Sequence, residues 1–433
     1  MTFTLGMAEM GYHLRVFMAS LRAPIVALFL TLLLIPFNAL AQDDEEEMYS
    51  IAKATQIGVI SDSDLGLNAA QLRPQGDQVL VVGAEGYARL IDSEEPELRV
   101  KDISLTSGKS EEFTALSWHP QGKSALLVGE NGQMMRLSLE NYALETVEGK
   151  GALEGEKQTA IAWNQNGDTA YIGGENGSIF RYSSADGFTF IEASTSPVTA
   201  IDCHPSPSTR LCVITTAGDG AAVIDIDHQV SWISNTEGDT WVDVVCPSVL
   251  RDVCILIGSG KRIAILHLDV ENPSASATDN PDVLSTLEGE LTGGSLLGDG
   301  SISLHIAPYS VASYGLEEEM AWVVVLKDDV GDEGSLAGSS MVFTWGREDT
   351  DSFVLSSNGL IASLSPIKEV EEEDLLGMVV ITMVAISVPG VLFGMIFMNS
   401  KTLQRGWMNM SRKRRQKKAD RIQAKRDANE SED

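Results

Sequence analysis

Basic side chains are scarce in this chain. Lys and Arg number 31 against 62 Asp and Glu, which leaves a formal charge of −31 over 433 residues. A surface of that sign repels phosphate backbones, so nucleic acid is not the expected partner of the bulk of the protein. Cysteine is nearly absent, with four residues, which excludes a disulfide-dense miniprotein. Proline at 14 and glycine at 39 are too few for collagen. No H-E-x-x-H, G-x-S-x-G, phosphate-loop or D-x-D-x-D-G pattern occurs, so no metal or other cofactor is expected. Apolar residues at 43% and charged residues at 21% make an ordinary globular composition.

The charge is unevenly spread. Eleven basic and five acidic side chains put +6 on 399–433, the first 41 residues carry +1, and the balance of −38 falls on 42–398. At the start, Arg15 and Arg22 precede the apolar run Ala23 to Phe37, followed by Ala39-Leu40-Ala41. Positive, then apolar, then small-x-small residues are the order of a secretory signal peptide cleaved before Gln42. A second apolar run, Leu375 to Met398, has no charge and is long enough to cross about 30 Å of hydrocarbon as a helix. Glu371, Glu372, Glu373 and Asp374 stand before it, and Arg412-Lys413-Arg414-Arg415 with Lys417 and Lys418 stand after it. Positive-inside bias then places the tail in the cytoplasm and the rest outside. The expected layout is a signal peptide (1–41), an acidic linker (42–49), a globular domain (50–366), an acidic stalk (367–374), a transmembrane helix (375–398) and a basic cytoplasmic tail (399–433). Gly390 and Gly394 form a small-xxx-small pair in the span that would let two copies of the helix approach closely, as in a homodimer. The basic tail is of the kind that contacts anionic lipid.

The globular part repeats. Gln71-LRPQGDQVLVVGAEGYARL-Ile91, Ala115-LSWHPQGKSALLVGENGQMMR-Leu137 and Ala160-IAWNQNGDTAYIGGENGSIFR-Tyr182 align with a step of 45 or 46 residues. Ala200 to Asp225, Val242 to Leu266 and Val342 to Leu364 continue the series, with Cys203 and Cys246 in the Trp place and Trp345 restoring it. Each copy reads as short β-rich runs separated by polar turns, and Asn-Gly recurs at 131–132, 176–177 and 358–359 as a tight hairpin signal. A period near 45 with several strands per copy implies an all-β protein, a β-propeller. A divergent copy between Cys246 and Trp345, with Ser301 to Pro308 as its inner strand, makes seven blades; six is the alternative count. The run Ser50 to Ile60 is expected to add the outer strand of the last blade and so close the ring. Tyr309 to Glu319, 327–340 and 271–283 read as insertions or loops.

These units resemble WD40-like, photosystem-assembly-factor and sialidase-type propeller repeats over roughly residues 50–365. The terminal Trp-Asp of WD40 repeats is absent, and Ser184-ADGFT-Phe190 and Asn235-TEGDT-Trp241 are each one residue short of the sialidase Asp box. The resemblance implies a fold and two functions. One is a membrane-anchored, extracytoplasmic scaffold that binds a protein partner without catalysis. The other is a glycan-processing hydrolase, which needs converging arginines; Arg89, Arg136 and Arg181 recur but read as structural.

The cysteines fall as pairs, each flanking one turn between neighbouring strands, so Cys203–Cys212 and Cys246–Cys254 are the expected disulfides in an exported protein. His119 and His204 share a repeat position before Pro and read as turn residues. Glu85, Glu130, Glu175 and Asp219 sit in the second turn of successive copies. Equivalent turns of a propeller share a face, so these acids are the candidate site for a cation or a basic partner.

Overall fold

The computed structural model describes residues 49–61, 64–247, 251–330, 339–346, 351–367, 391 and 394–430. The signal peptide and all of the apolar span except 391 and 394–398, Gly390 among them, lie outside the described residues. Among the described residues, no helix is long and apolar enough to cross a membrane. The chain divides into two units, residues 1–367 and 368–433.

Seven antiparallel sheets form the first unit, and they settle the blade count at seven. The blades cover 67–106, 113–146, 158–193, 198–232, 241–283, 290–325 and 341–366, the last completed by Ala52–Val59. First strands pack on one another all the way round, Leu67–Leu72 touching both Phe113–Trp118 and Met341–Gly346. Second strands such as Cys212–Thr216 and Val253–Gly258 are buried along their whole length, because both of their faces meet a neighbouring blade. The core accordingly breaks into seven apolar clusters, one at each joint. Closure works as the sequence suggested. Ala52–Val59 runs antiparallel to Leu360–Pro366, from Ala52 opposite Pro366 to Val59 opposite Leu360, with a bulge between Gln56 and Gly58. The Ile51 N–H also donates to Val324 O of blade 6 (3.1 Å).

Register decides which way each side chain points, and three alignments shift. Trp118 and Trp163 face the preceding blade, whereas Trp345 pairs with Phe353 and packs toward the following blade, blade 1. It stands one residue off the Trp position, and a slip of one residue changes the face. Arg136 and Arg181 follow their turn glycines by four residues, but Arg89 follows Gly86 by three. Arg89 therefore does not share their position; it pairs with Val81 and faces blade 7, where its Nη1 donates to Ile60 O. The divergent blade 6 has Glu290–Leu296 as its inner strand, so Ile302–Ala307 is the second strand. Ser310–Gly315, within the supposed insertion, is the third. Within 271–283, Ala277–Thr278 and Asp282–Val283 are a split outer strand of blade 5.

Both disulfides are present, Cys203–Cys212 and Cys246–Cys254, with Cα separations of 3.9 and 4.1 Å. Each ties the first strand of its blade to the second at the same end. Replacing Cys203 and Cys212 together by Ala should lower stability in guanidinium by about 2–3 kcal/mol, the chain-entropy value for so short a loop. Non-reducing peptide maps should recover the two pairings; four alkylatable thiols without reductant would refute them.

Candidate interaction face

Antiparallel connectivity sorts the loops. First-to-second and third-to-fourth turns lie on one face of the ring, the face of the disulfides. Second-to-third turns and the links between blades lie on the other. Glu85, Glu130, Glu175 and Asp219 all fall on that second face, in the turns after Gln78–Gly83, Ser124–Gly129, Ala170–Gly174 and Cys212–Thr216.

The turns are held to the scaffold by one repeated bond. The N–H of Glu130 donates to Glu112 O (3.0 Å), of Glu175 to Lys157 O (2.9 Å) and of Ala217 to Pro197 O (3.0 Å), each acceptor just before the first strand of its own blade. The glycine closing each turn has no room for a side chain. At Gly132, where φ is 67°, a Cβ would stand 2.0 Å from Leu153 O. The acids nonetheless occupy two positions, not one. Glu85 and Asp219 directly precede the glycine, Glu85 at φ 54°, while Glu130 and Glu175 stand one residue earlier. Glu85 and Glu175 are exposed. Asp219 is engaged within the fold: its carboxylate accepts from Ser194 Oγ (2.7 Å) and from the Thr195 hydroxyl and N–H. Those donors hold its pKa below the ordinary carboxylate value. It braces the link between blades 3 and 4.

Between blades, polar side chains of the first strands form struts that sequence reasoning missed. Gln71 Oε1 accepts from the Trp118 N–H (2.9 Å), Ser117 Oγ from the Trp163 N–H (3.0 Å) and Asp202 Oδ2 from the Cys246 N–H (2.8 Å), at equivalent positions of blades 1, 2 and 4. Asp243 Oδ2 accepts from the Gly294 N–H (2.9 Å), and Ser295 Oγ from the Thr344 N–H (3.1 Å). His119 and His204 are struts as well as turn residues. Nδ1 of each accepts a backbone N–H two residues on, which assigns the proton to Nε2. Nε2 then donates to Gly167 O (3.0 Å) and Arg251 O (2.8 Å) of the next blade. The visible signal was an acid standing where other copies carry Ser or Ala, as in A-I-D-C-H-P.

Asp202 and Asp243 are half-buried between blades, and loss of hydration outweighs their N–H donors. Burial pushes Asp202 up to about 7 and Asp243 up to about 6. His305, between Ser295 Oγ (3.2 Å) and Thr344 Oγ1 (3.0 Å), is pushed down to about 4 by burial and is a neutral imidazole. These groups are spent on joints between blades. The arginines do not converge either: Arg136 bonds Tyr182 and Ser184, Arg181 faces Asp186 at 3.8 Å, and Arg89 lies 3.3 Å from Asp102. A cleft of about 390 Å³ between blades 6 and 7 is lined by Ile51, Val324, Leu364 and Pro366 with Asp299 and Ser301.

No protein-family model and no curated protein matches the chain. Among solved structures, the chain is similar to the WD40 β-propeller domain of Doa1, at 13% identity and a TM-score of 0.55, over 73% of this chain and 98% of that one. It is also similar to the β-propeller domain of Cps50 (Swd1) from Myceliophteria thermophila, at 10% identity and a TM-score of 0.55, over 72% of this chain and all of that domain (100%). The WD40-like architecture is thus shared, without the Trp-Asp signature.

Proposed function

We propose that this protein is a membrane-anchored, extracytoplasmic scaffold whose propeller holds a basic protein partner on the face of the second-to-third turns. The observation that carries the reading is the sign of that face. Glu85, Glu130, Glu148, Glu154, Glu175 and Glu237 project from its turns and links. Its lysines are fewer: Lys109, Lys150 and Lys157 stand in the links, Lys261 is bound to Leu287 O (2.8 Å) and Lys327 to Glu288 (3.2 Å). On the opposite face the charges are mixed and paired, as in Arg73–Asp77 (2.7 Å) and Lys101–Asp92 (3.1 Å). A predominantly acidic face on a rigid ring steers and orients a complementary partner. The leader-like start and the apolar run at 375–398 support the anchored, exported location.

Native purification of the detergent-solubilised protein should yield a basic protein in stoichiometric amount. A Glu130→Lys/Glu175→Lys chain that melts like the parent should bind it at least about tenfold more weakly. A protein that purifies alone, or binding indifferent to the reversal, overturns the reading.

A further inference from the structure

The second unit carries a surface of its own. Residues 394–399 are helical, the chain breaks at Ser400, and a second helix runs Lys401–Glu430. Ser400 Oγ accepts the Leu403 N–H (3.4 Å), as a helix N-cap does. Gln404 Nε2 reaches back to the carbonyls of Phe397 (3.2 Å) and Met398 (2.8 Å). Phe397 and Trp407 meet edge to face with centroids 6.1 Å apart. Ten residues of straight helix would separate them by about 15 Å, so the chain turns sharply at Ser400 and the bonds of Gln404 hold the turn. A helix leaving a bilayer is redirected by such a turn.

The second helix has one distinctive face. Leu403, Trp407, Met410, Arg414, Lys418 and Arg421 follow at spacings of four and three, a single stripe. Its first part is apolar and bare: Trp407 is 63% exposed, Met410 55% and Leu403 44%. Its second part is basic. Asp420, the one acid between 401 and 422, lies off the stripe, about a third of a turn round the helix.

We propose that this face docks on an anionic lipid surface, with Leu403, Trp407 and Met410 entering the headgroup boundary and Arg414, Lys418 and Arg421 meeting lipid phosphates. Apolar and aromatic side chains in the turns nearest the membrane, continued by cations on the same side, match a bilayer interface. A phosphate polymer would engage the cations and leave the Trp and Met exposed. The inference rests on the anchored reading only for how the helix is delivered to the bilayer.

The test uses the full-length protein in nanodiscs and follows amide exchange across 401–422. Discs containing phosphatidylglycerol should slow exchange by about tenfold relative to pure phosphatidylcholine, and high salt should reverse the effect. Arg414→Gln/Lys418→Gln/Arg421→Gln should abolish the protection, while Arg405→Gln/Arg412→Gln/Lys413→Gln, which removes equal charge away from the stripe, should retain it. Equal exchange in both discs overturns the proposal, as does equal loss in the two triple variants. Protection that appears only when an RNA oligonucleotide is added overturns it in favour of nucleic acid. Alkaline carbonate extraction reads the anchor separately. If carbonate strips the chain from membranes, the anchored reading fails, and flotation of the same protein with phosphatidylglycerol but not phosphatidylcholine vesicles decides the docking.

Discussion

Asp202→Asn should change from a destabilising substitution at about pH 4 to a neutral or stabilising one at about pH 8, a swing of about 4 kcal/mol. Asp202 is half-buried between blades, and its pKa is raised from 3.8 to about 7 mainly by loss of hydration, with the nearby Asp243 carboxylate adding to the rise. A carboxyl raised in the folded state keeps its proton there after the unfolded chain has released one. Its stabilising contribution is therefore whole below pH 3.8, falls as pH rises toward 7, and is gone above it. Asn cannot titrate, so the difference between variant and parent isolates this one group. At low pH the Asn amide can accept only one of the two N–H bonds, from Cys203 (2.9 Å) and Cys246 (2.8 Å), and loses about 1–2 kcal/mol. At high pH it removes a partly desolvated charge. The parent's own pH curve would mislead, because His305, lowered to about 4, gains stability as pH rises through the window in which Asp202 loses it. His305 is common to both proteins and cancels. Parallel guanidinium curves at the two pH values would show that Asp202 is solvated or paired and would sink the argument.

The ring was legible in the sequence wherever a local rule sufficed. Asn131-Gly132 and Asn176-Gly177 announce second-to-third turns, and the recurring Trp118 and Trp163 set the period. Blade 6 was blurred because it uses neither: Gly293 and Gly294 interrupt its inner strand, and Pro308-Tyr309 replaces the Asn-Gly turn. Trp345 and Arg89 were misplaced by single residues, which spacing from the turn glycine exposes at once for Arg89. The struts were beyond local reading. Gln71, Ser117 and Asp202 acquire partners only when the ring brings the next first strand alongside. The candidate face was legible as a set of turns, since loop position follows from strand alternation. The role of Asp219 was not, because its partners Ser194 and Thr195 belong to the incoming link of blade 4.

Removing residues 1–60 should prevent the propeller from forming a cooperative monomer. Ala52–Val59 is the fourth strand of a blade whose other three strands lie some 300 residues later, so it ties the two ends of the chain together within one sheet. Seven residue pairs link it to Leu360–Pro366. At about 1 kcal/mol net for each hydrogen bond, together with the buried Ala52 and Ile60, the strand contributes on the order of 5 kcal/mol, comparable with the whole stability of a domain. The loss also bares the edge of Leu360–Pro366, an invitation to pair with another chain. Size-exclusion chromatography should show dimers or larger species, and a synthetic peptide of residues 49–60 added in trans should restore the monomer. Ser50→Ala gives a graded version. Ser50 Oγ donates to Asp329 (2.5 Å) and accepts the Leu326 N–H (2.8 Å), fastening the strand to blade 6 as well, and its loss should lower stability by about 1–2 kcal/mol. If the truncated chain unfolds at the same denaturant concentration as the intact one, the three remaining strands suffice for blade 7. The ring would then be held shut by the packing of Trp345 against Val79 and Val81 of blade 1.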